Sequence, residues 1–289
     1  MRVSLLYNRN AGEGLPLDHI RDAMTRHGHQ LVRVVEKHTD VERLLEDRTD
    51  LVAAAGGDGT IALAARIMAR RGIPLAILPI GTANNIAKSL GLEGSMDQLI
   101  DKWDLARSQP LDLGVADGAW GRRHFVEAVG GGLIPTGIAE MQTRSNGDEH
   151  PSATKVEGAV RTFREVLSRL QPDHWTIDLD GIEATGDFLL VEVLNIRSIG
   201  PNLVFSADAN PSDGSFRVVV AGEEDRDELA RYLQCRLEQR EYPLSLVSRR
   251  ARHVTLRGPT DVHVDDEVLS GSGSVVSIHM DTGVLQVLA

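Results

Sequence analysis

The feature that most limits the fold of this chain is a change of period near Leu111. Before it, short apolar runs alternate with amphipathic ones. "VSLLY" (3–7), "LVRVV" (31–35), "LVAAA" (51–55) and "PLAIL" (74–78) read as buried strands. The stretches 16–28, 40–47, 59–71, the run up to Leu90, and 95–103 read as helices. In the first of these Leu17, Ile20 and Met24 share a face, Pro16 suits the first turn and Gly28 the stop. Asp40 is a candidate N-cap for the second. Such alternation predicts a mostly parallel sheet covered on both faces. After Leu111 the chain turns to short strand-like pieces separated by Gly, Asp and Pro, interrupted by helical runs at 155–170 and 225–238. That pattern predicts an antiparallel domain, sandwich-like or barrel-like. Residues 141–154, "MQTRSNGDEHPSAT", read as a mobile loop.

A chain of 289 residues with 42% hydrophobic content can bury one large core or two medium ones. A net charge of −11 and 4% aromatics argue against broad electrostatic binding or base stacking on nucleic acid. The single cysteine, Cys235, excludes a disulfide framework and fits a reducing compartment. "MRVSLLYNRN" is too short in apolar residues for a signal peptide, and no window approaches the ~18 apolar residues of a membrane span. The expectation is a cytoplasmic protein without a transmembrane segment. A homodimer is compatible with the sequence, which does not fix the oligomeric state.

Three glycine-rich turns occupy equivalent places in the first part. "NRNAGEG" (8–14), "GGDGT" (56–60) and "GTANN" (81–85) each follow a strand and open towards a helix. All three therefore lie at the carboxyl ends of parallel strands, where open α/β sheets bind ligands. Helix N-termini there favour phosphate, and glycine lets backbone approach closely. An ordinary βα turn explains one such segment; three on one edge point to a polyphosphate ligand. GxxxxGK[ST] is missing, and so is GxGxxG after the first strand, which disfavours a nicotinamide site.

"GGDGT" followed by "PIGTANN" (79–85) resembles the diacylglycerol kinase catalytic-domain family, which includes bacterial lipid kinases and the sphingosine and ceramide kinases. "NRNAG" is similar to that family's N-P-x-S-G turn, "VDDE" (264–267) to its V-D-G-E, and "PSDGSFRVVV" (211–220) to its D-G-hydrophobic stretch. "LDLGV" (111–115) and "LNIRSIGPNL" (194–203) stand in the expected order. The resemblance implies an α/β plus all-β protein. A Rossmann-like nucleotide-binding domain of the NAD kinase and diacylglycerol kinase type (1–110) would precede a β-sandwich lipid-substrate domain (111–283), with the active site in the cleft. Residues 284–289 would return to the first domain. It also implies ATP, Mg²⁺ and a membrane lipid acceptor met by transient peripheral contact at the inner membrane surface. Candidate contact segments are the arginines at 249–252 and the loop at 141–154.

Carried over by position, the nucleotide side comprises Asn8, Thr39, Gly56, Gly57, Gly59, Thr60, Gly81, Thr82 and Asn84. Thr39 reads equally as a helix-entry residue. The resemblance places Asp58 in a network with Asp112 and Asp213, linked through water and Mg²⁺, since a hard cation makes a carboxylate beside a triphosphate favourable. The alternatives are a turn residue satisfying amides for Asp58, and strand-end or turn roles for the other two. Asp265 matches the catalytic aspartate and Glu267 its partner; a positioned carboxylate would orient the acceptor hydroxyl and take its proton late. If the segment is extended, D-x-E puts both acids on one side. A charged hairpin end is the plain alternative. The chain departs from the family at Asp266, where the family has Gly, at Ala62-Leu63 for Asn-Glu, and at Arg9 and Glu13 in the first turn. Two other readings stand beside the lipid kinase. One is an NAD kinase-like soluble small-molecule kinase, whose substrate motifs are missing. The other is a degenerate member that binds without catalysis, which retention of Asp58, Asp265 and Glu267 disfavours.

Overall fold

Strands buried on both faces organise the first part of the chain. The structure is a computed structural model that describes residues 1–12, 14–104, 107–145, 152–258, 261–270 and 275–288. β1 (Arg2–Tyr7), α1 (Leu17–Arg26), β2 (Gln30–Glu36), β3 (Leu51–Gly56), α2 (Asp58–Met68), β4 (Leu75–Pro79), α3 (Asn85–Ser89) and α4 (Met96–Asp101) follow in order. The strands pair in the order β2-β1-β3-β4, all parallel. β3 is buried at every residue, as its apolar "LVAAA" requires. Helix α2 packs Ile61, Ala64, Ala65 and Met68 inwards. It stops at Met68, short of the expected 71, because Arg70 adopts a left-handed φ of 62° and donates its amide to Val284 O. The expected helix at 40–47 is a single 3₁₀ turn, Val41–Leu45, and Asp40 makes no side-chain cap. Five residues close too few α-type hydrogen bonds to repay nucleation.

The remaining elements are β5 (Ser108–Gly118), β6 (Gly121–Phe125), β7 (Ala128–Gly132), α5 (Leu133–Ser145), α6 (Ser152–Arg169), β8 (Asp173–Leu179), β9 (Ile182–Phe188), β10 (Leu190–Leu194), β11 (Ser198–Ile199), β12 (Leu203–Val204), β13 (Phe216–Ala221), α7 (Arg226–Leu237), β14 (Val247–Ala251), β15 (His253–Arg257), β16 (Asp261–Val264), β17 (Glu267–Ser270) and β18 (Val275–Leu288). The chain divides into Met1–Leu113 with Thr282–Ala289, and Gly114–Asp281. In the first unit Val287 and Leu288 of β18 add a parallel neighbour to β4.

The second unit holds an antiparallel sheet in the order β14-β13-β10-β7-β16-β17. One face packs on β8, β15 and the start of β18, with Val129, Val191, Val193, Trp175, Val254, Val262 and Ile278 in one core. The other face is covered by α5–α7 through Leu133, Phe163, Leu190, Leu194, Leu229 and Leu233. The sandwich thus carries a helical layer. The expected loop at 141–154 is largely helix: α5 runs to Ser145 and α6 starts at Ser152, while 146–151 lie outside the described residues.

Candidate active site

The three glycine turns meet at the carboxyl rim of the first unit's parallel strands. Asn8, just past β1, donates its amide to Ala55 O at 3.0 Å, and Ile80 donates to Gly56 O at 3.1 Å, so the outer turns are tied to the central strand. Gly12 has φ +57°, and a Cβ there would lie 2.2 Å from Ile80 O. A Cβ on Gly81 would lie 2.3 Å from the Gly57 Cα. First turn packs on third and third on second, backbone against backbone, and any side chain would part them. Asn84, itself left-handed, staples the third turn: its Oδ1 accepts from Gly81 N at 3.0 Å and its Nδ2 donates to Gly81 O at 2.9 Å. Helix α2 starts on this rim with Gly57 as an N-cap that brings no side chain. Its amides and dipole present positive potential to an anion.

The other nucleotide-side residues divide. Gly59 lies in the first turn of α2, half-buried, and Thr82 is exposed on the third turn. Thr60 is buried beneath Gly56, its hydroxyl accepting from Asn8 Nδ2 at 3.4 Å. Thr39 is exposed in the turn after β2, where its hydroxyl donates to Glu36 O at 2.8 Å. Arg9 is paired with Glu36 at the end of β2. Ala62 is buried in the inward face of α2, Leu63 is half-buried, and Glu13 lies outside the described residues.

Asp58 is committed to backbone. Its Oδ1 accepts from Ile86 N at 2.9 Å, satisfying an amide at the start of α3, whose own N-cap Asn84 makes no side-chain cap. Burial pushes its carboxyl above the ordinary range, against the lowering pull of the Ile86 and Asn85 amides and Lys88. Asp112 is buried in β5 and accepts from Gly283 N at 2.8 Å, tying the returning β18 to the first unit. Asp213 belongs to the second unit. It accepts from Ser215, from Arg217 at 3.0 Å, and from Arg250 at 3.3 Å. Burial would raise this carboxyl, but the Ser215 hydroxyl and the two arginines outweigh it and hold it low.

Among the described residues no group of three His, Cys, Asp or Glu side chains is placed to hold a metal. Within its own unit each of Asp58, Asp112 and Asp213 already has protein partners: backbone amides for the first two, Ser215 and two arginines for the third. Magnesium commonly binds through one or two carboxylates with phosphate oxygens and several waters. An ion of that kind would need few protein carboxylates, and of the rim's described residues Asp58 is the acid that could contribute one.

Asp265 heads the β16–β17 turn, two residues long because Val264 pairs with Glu267. Its φ of +53° turns the chain, its amide donates to Ala128 O at 2.9 Å, and its side chain folds inwards. Oδ1 accepts from Glu127 N at 2.8 Å and Val126 N at 3.1 Å. The carboxylate is held in one orientation with the residue 5% exposed. Glu267 is exposed instead. The two acids do not share a face as an extended D-x-E would have it, because the left-handed residue breaks the two-residue alternation. Asp266 does not have positive φ, so a side chain there fits where the family's glycine stands.

Two family models match this chain. Residues 2–116 match the diacylglycerol kinase catalytic domain, and residues 132–289 match the YegS C-terminal NAD kinase beta sandwich-like domain. The chain belongs to the diacylglycerol kinase family. It is accordingly a lipid kinase, with the α/β and sandwich halves of that family. A diacylglycerol kinase of Mycobacterium tuberculosis is 30% identical over 248 residues, covering 80% of this chain and 76% of that protein. One from Staphylococcus aureus is 21% identical over 276 residues, 91% of this chain and 84% of the other. A crystal structure of a diacylglycerol kinase from Bacillus anthracis superposes with a TM-score of 0.74 at 19% identity, covering 99% of this chain and 96% of that one. What sequence reading missed are the amides of Val126 and Glu127 that aim Asp265. Backbone donors leave no signature in residue type, so only the fold could find them.

Proposed function

We propose that this chain transfers the γ-phosphoryl group of ATP to a lipid hydroxyl of diacylglycerol type, with Mg²⁺. The observation that carries the reading is the backbone-on-backbone convergence of the three glycine turns at the strand ends. Amides of Gly57 and Gly59, with Asn8 and Thr82, bind and orient the phosphates, and Gly81, whose own amide is held by Asn84, lets the third turn approach them. Thr60 and Asn84 hold the turns beneath them, and Thr39 stands beside β2 for the nucleoside. Mg²⁺ would neutralise charge on the transferring phosphoryl group, held by ATP oxygens and by Asp58 through water. Asp265, fixed by two amides, orients the acceptor hydroxyl and takes its proton, and Glu267 lies two residues on. Asp112 and Asp213 support their own units. In this reading the lipid is met at a membrane surface by transient contact; no described helix is long and apolar enough to cross a membrane.

The test is transfer of labelled phosphate from ATP to a panel comprising diacylglycerol, sphingoid and ceramide lipids, and NAD, with Asp265→Asn as control. Label in a neutral lipid, lost in the variant, is expected. Label in NAD alone would overturn the reading, and so would ATP binding without transfer to any acceptor.

A further inference from the structure

Behind the Asp265 turn, on the helix-covered face of the six-stranded sheet, lies a carboxyl–imidazole pair removed from solvent. Glu192 is 0% exposed and His263 1%. Both are in register with Gly130, Glu192 on one side in β10 and His263 on the other in β16. Side chains at one register level share a face, so the two reach each other over the glycine. A Cβ on Gly130 would lie 2.5 Å from the Glu192 carboxyl carbon. His263 Nε2 is 2.9 and 3.1 Å from the two Glu192 oxygens. His263 Nδ1 is 2.8 Å from Asp265 O.

These contacts fix the protons. A carbonyl can only accept, so Nδ1 carries a hydrogen and donates it to Asp265 O. Nε2 and the carboxylate then face each other across a hydrogen-bond distance. Without a hydrogen between them they are two acceptors in a dry site, which is strongly unfavourable. One proton therefore belongs to that axis, whether drawn as imidazolium with carboxylate or as imidazole with carboxylic acid; the two forms contain the same atoms. The carbonyl it fixes belongs to the one residue of the hairpin with positive φ.

We propose that the Glu192–His263 pair is a positioning device for Asp265: its shared proton holds His263 as a donor to the Asp265 carbonyl and so keeps the turn in its left-handed form. The proposal rests on Asp265 as the acceptor-side carboxylate. Both members retain protons to higher pH than usual. Burial raises Glu192 against the opposing pull of His263; burial would lower His263, but Glu192 and the Asp265 carbonyl raise it. Other charges face the pair from few directions. Asp265 and the exposed Asp261, Asp266 and Glu267 lie on its hairpin, and Glu127 flanks β7. On α5, which packs on β16 and β17, the charged residues are Glu140 and Arg144, paired with each other on the surface. On β13 the residue opposite Glu192 is the apolar Val219.

The test combines ¹⁵N NMR of the histidine rings and of the Asp265 amide with kcat and KM profiles against pH, on the whole chain. In the wild type the shared proton should leave only well above the ordinary histidine value near 6.5, and the remaining ring hydrogen should then move to Nε2 to face the carboxylate, taking the donor away from the Asp265 carbonyl. The Asp265 amide should shift with the same midpoint, and kcat should fall there while KM for ATP stays level. Glu192→Gln places an amide donor against Nε2 permanently, so the alkaline fall should disappear. His263→Asn keeps a donor for the Asp265 carbonyl and should retain more kcat than His263→Ala, expected to lose between about tenfold and a hundredfold. Superimposable pH profiles for wild type and Glu192→Gln would overturn the proposal. So would an Asp265 amide indifferent to His263 titration. The NMR arm needs no turnover. If Asp265→Asn still transfers phosphate while the two NMR midpoints coincide, it is the catalytic reading of Asp265 that fails and the structural coupling that stands.

Discussion

In the first unit the candidate functional surface is backbone, and in the second it is side chain. The rim at Gly12, Gly57 and Gly81 works because side chains are missing and amides can approach one another. Among its described residues the acid is Asp58, which is turned to satisfy α3. The β16–β17 hairpin works the other way. A carboxylate is pinned by Val126 and Glu127, and a buried pair grips the carbonyl of the same residue. The difference follows from the ligands proposed for each. An anion is held by many weak donors, which glycine turns supply at low steric cost. A single proton acceptor must be aimed, which calls for a rigid side chain with supporting contacts.

Substitutions can break each half separately. The largest expected effect is at the acid: Asp265→Asn should lower kcat for phosphoryl transfer by about 10²–10⁴-fold with ATP binding retained, read by steady-state kinetics and nucleotide titration. Next is the pair behind it. His263→Ala leaves the Glu192 carboxyl buried without its partner and should cost about 3–5 kcal/mol in urea unfolding. The pair's pH signature has a definite sign. Both groups hold protons more tightly folded than unfolded, so their contribution is fullest at low pH and is lost as pH rises through the folded values. The melting temperature of Glu192→Gln relative to wild type should therefore climb with pH.

On the rim, Gly81→Ala should raise KM for ATP and cost about 1–3 kcal/mol, the range for overpacked sites, since Gly57 is backbone and cannot step aside. If KM for ATP stays level, the rim is not the phosphate site and the contrast between the halves falls. Asp58→Asn is a smaller probe. Burial raises this carboxyl, so its contribution to stability declines as pH rises from the ordinary carboxylate range through the folded value. The asparagine variant lacks that decline, and its melting temperature relative to wild type should rise over the same interval. Smallest is Asn84→Ala, which loses three side-chain hydrogen bonds, one of them long, and strains a left-handed residue; about 1–2 kcal/mol is expected from the urea midpoint.

The architecture was legible because it depends on patterns of polarity. "LVAAA" is buried wherever it goes, and alternation with helices leaves a parallel sheet as the way to pair such strands. The three glycine turns were legible for the same reason, and their placement at one rim follows from strand direction. Residue choice also announced Asp265 and Glu267 of "VDDE", but not which way they point. Reading them as extended put both on one face; the structure turns Asp265 inwards and leaves Glu267 outside. Glu192 did leave a trace, a lone acid in the apolar run "LLVEVLNI". Its partner lies seventy-one residues on in sequence, and nothing in either segment names the other.

The sequence by itself determined the two halves, the alternation of strand and helix in the first and the glycines that let three turns touch, because burial and backbone freedom are properties of each residue and its near neighbours. Only the tertiary structure decided what each acid does. A carboxylate takes its role from whichever amides, arginines or imidazole the fold brings within about 3 Å, and those partners are set by register across strands that are distant in the chain.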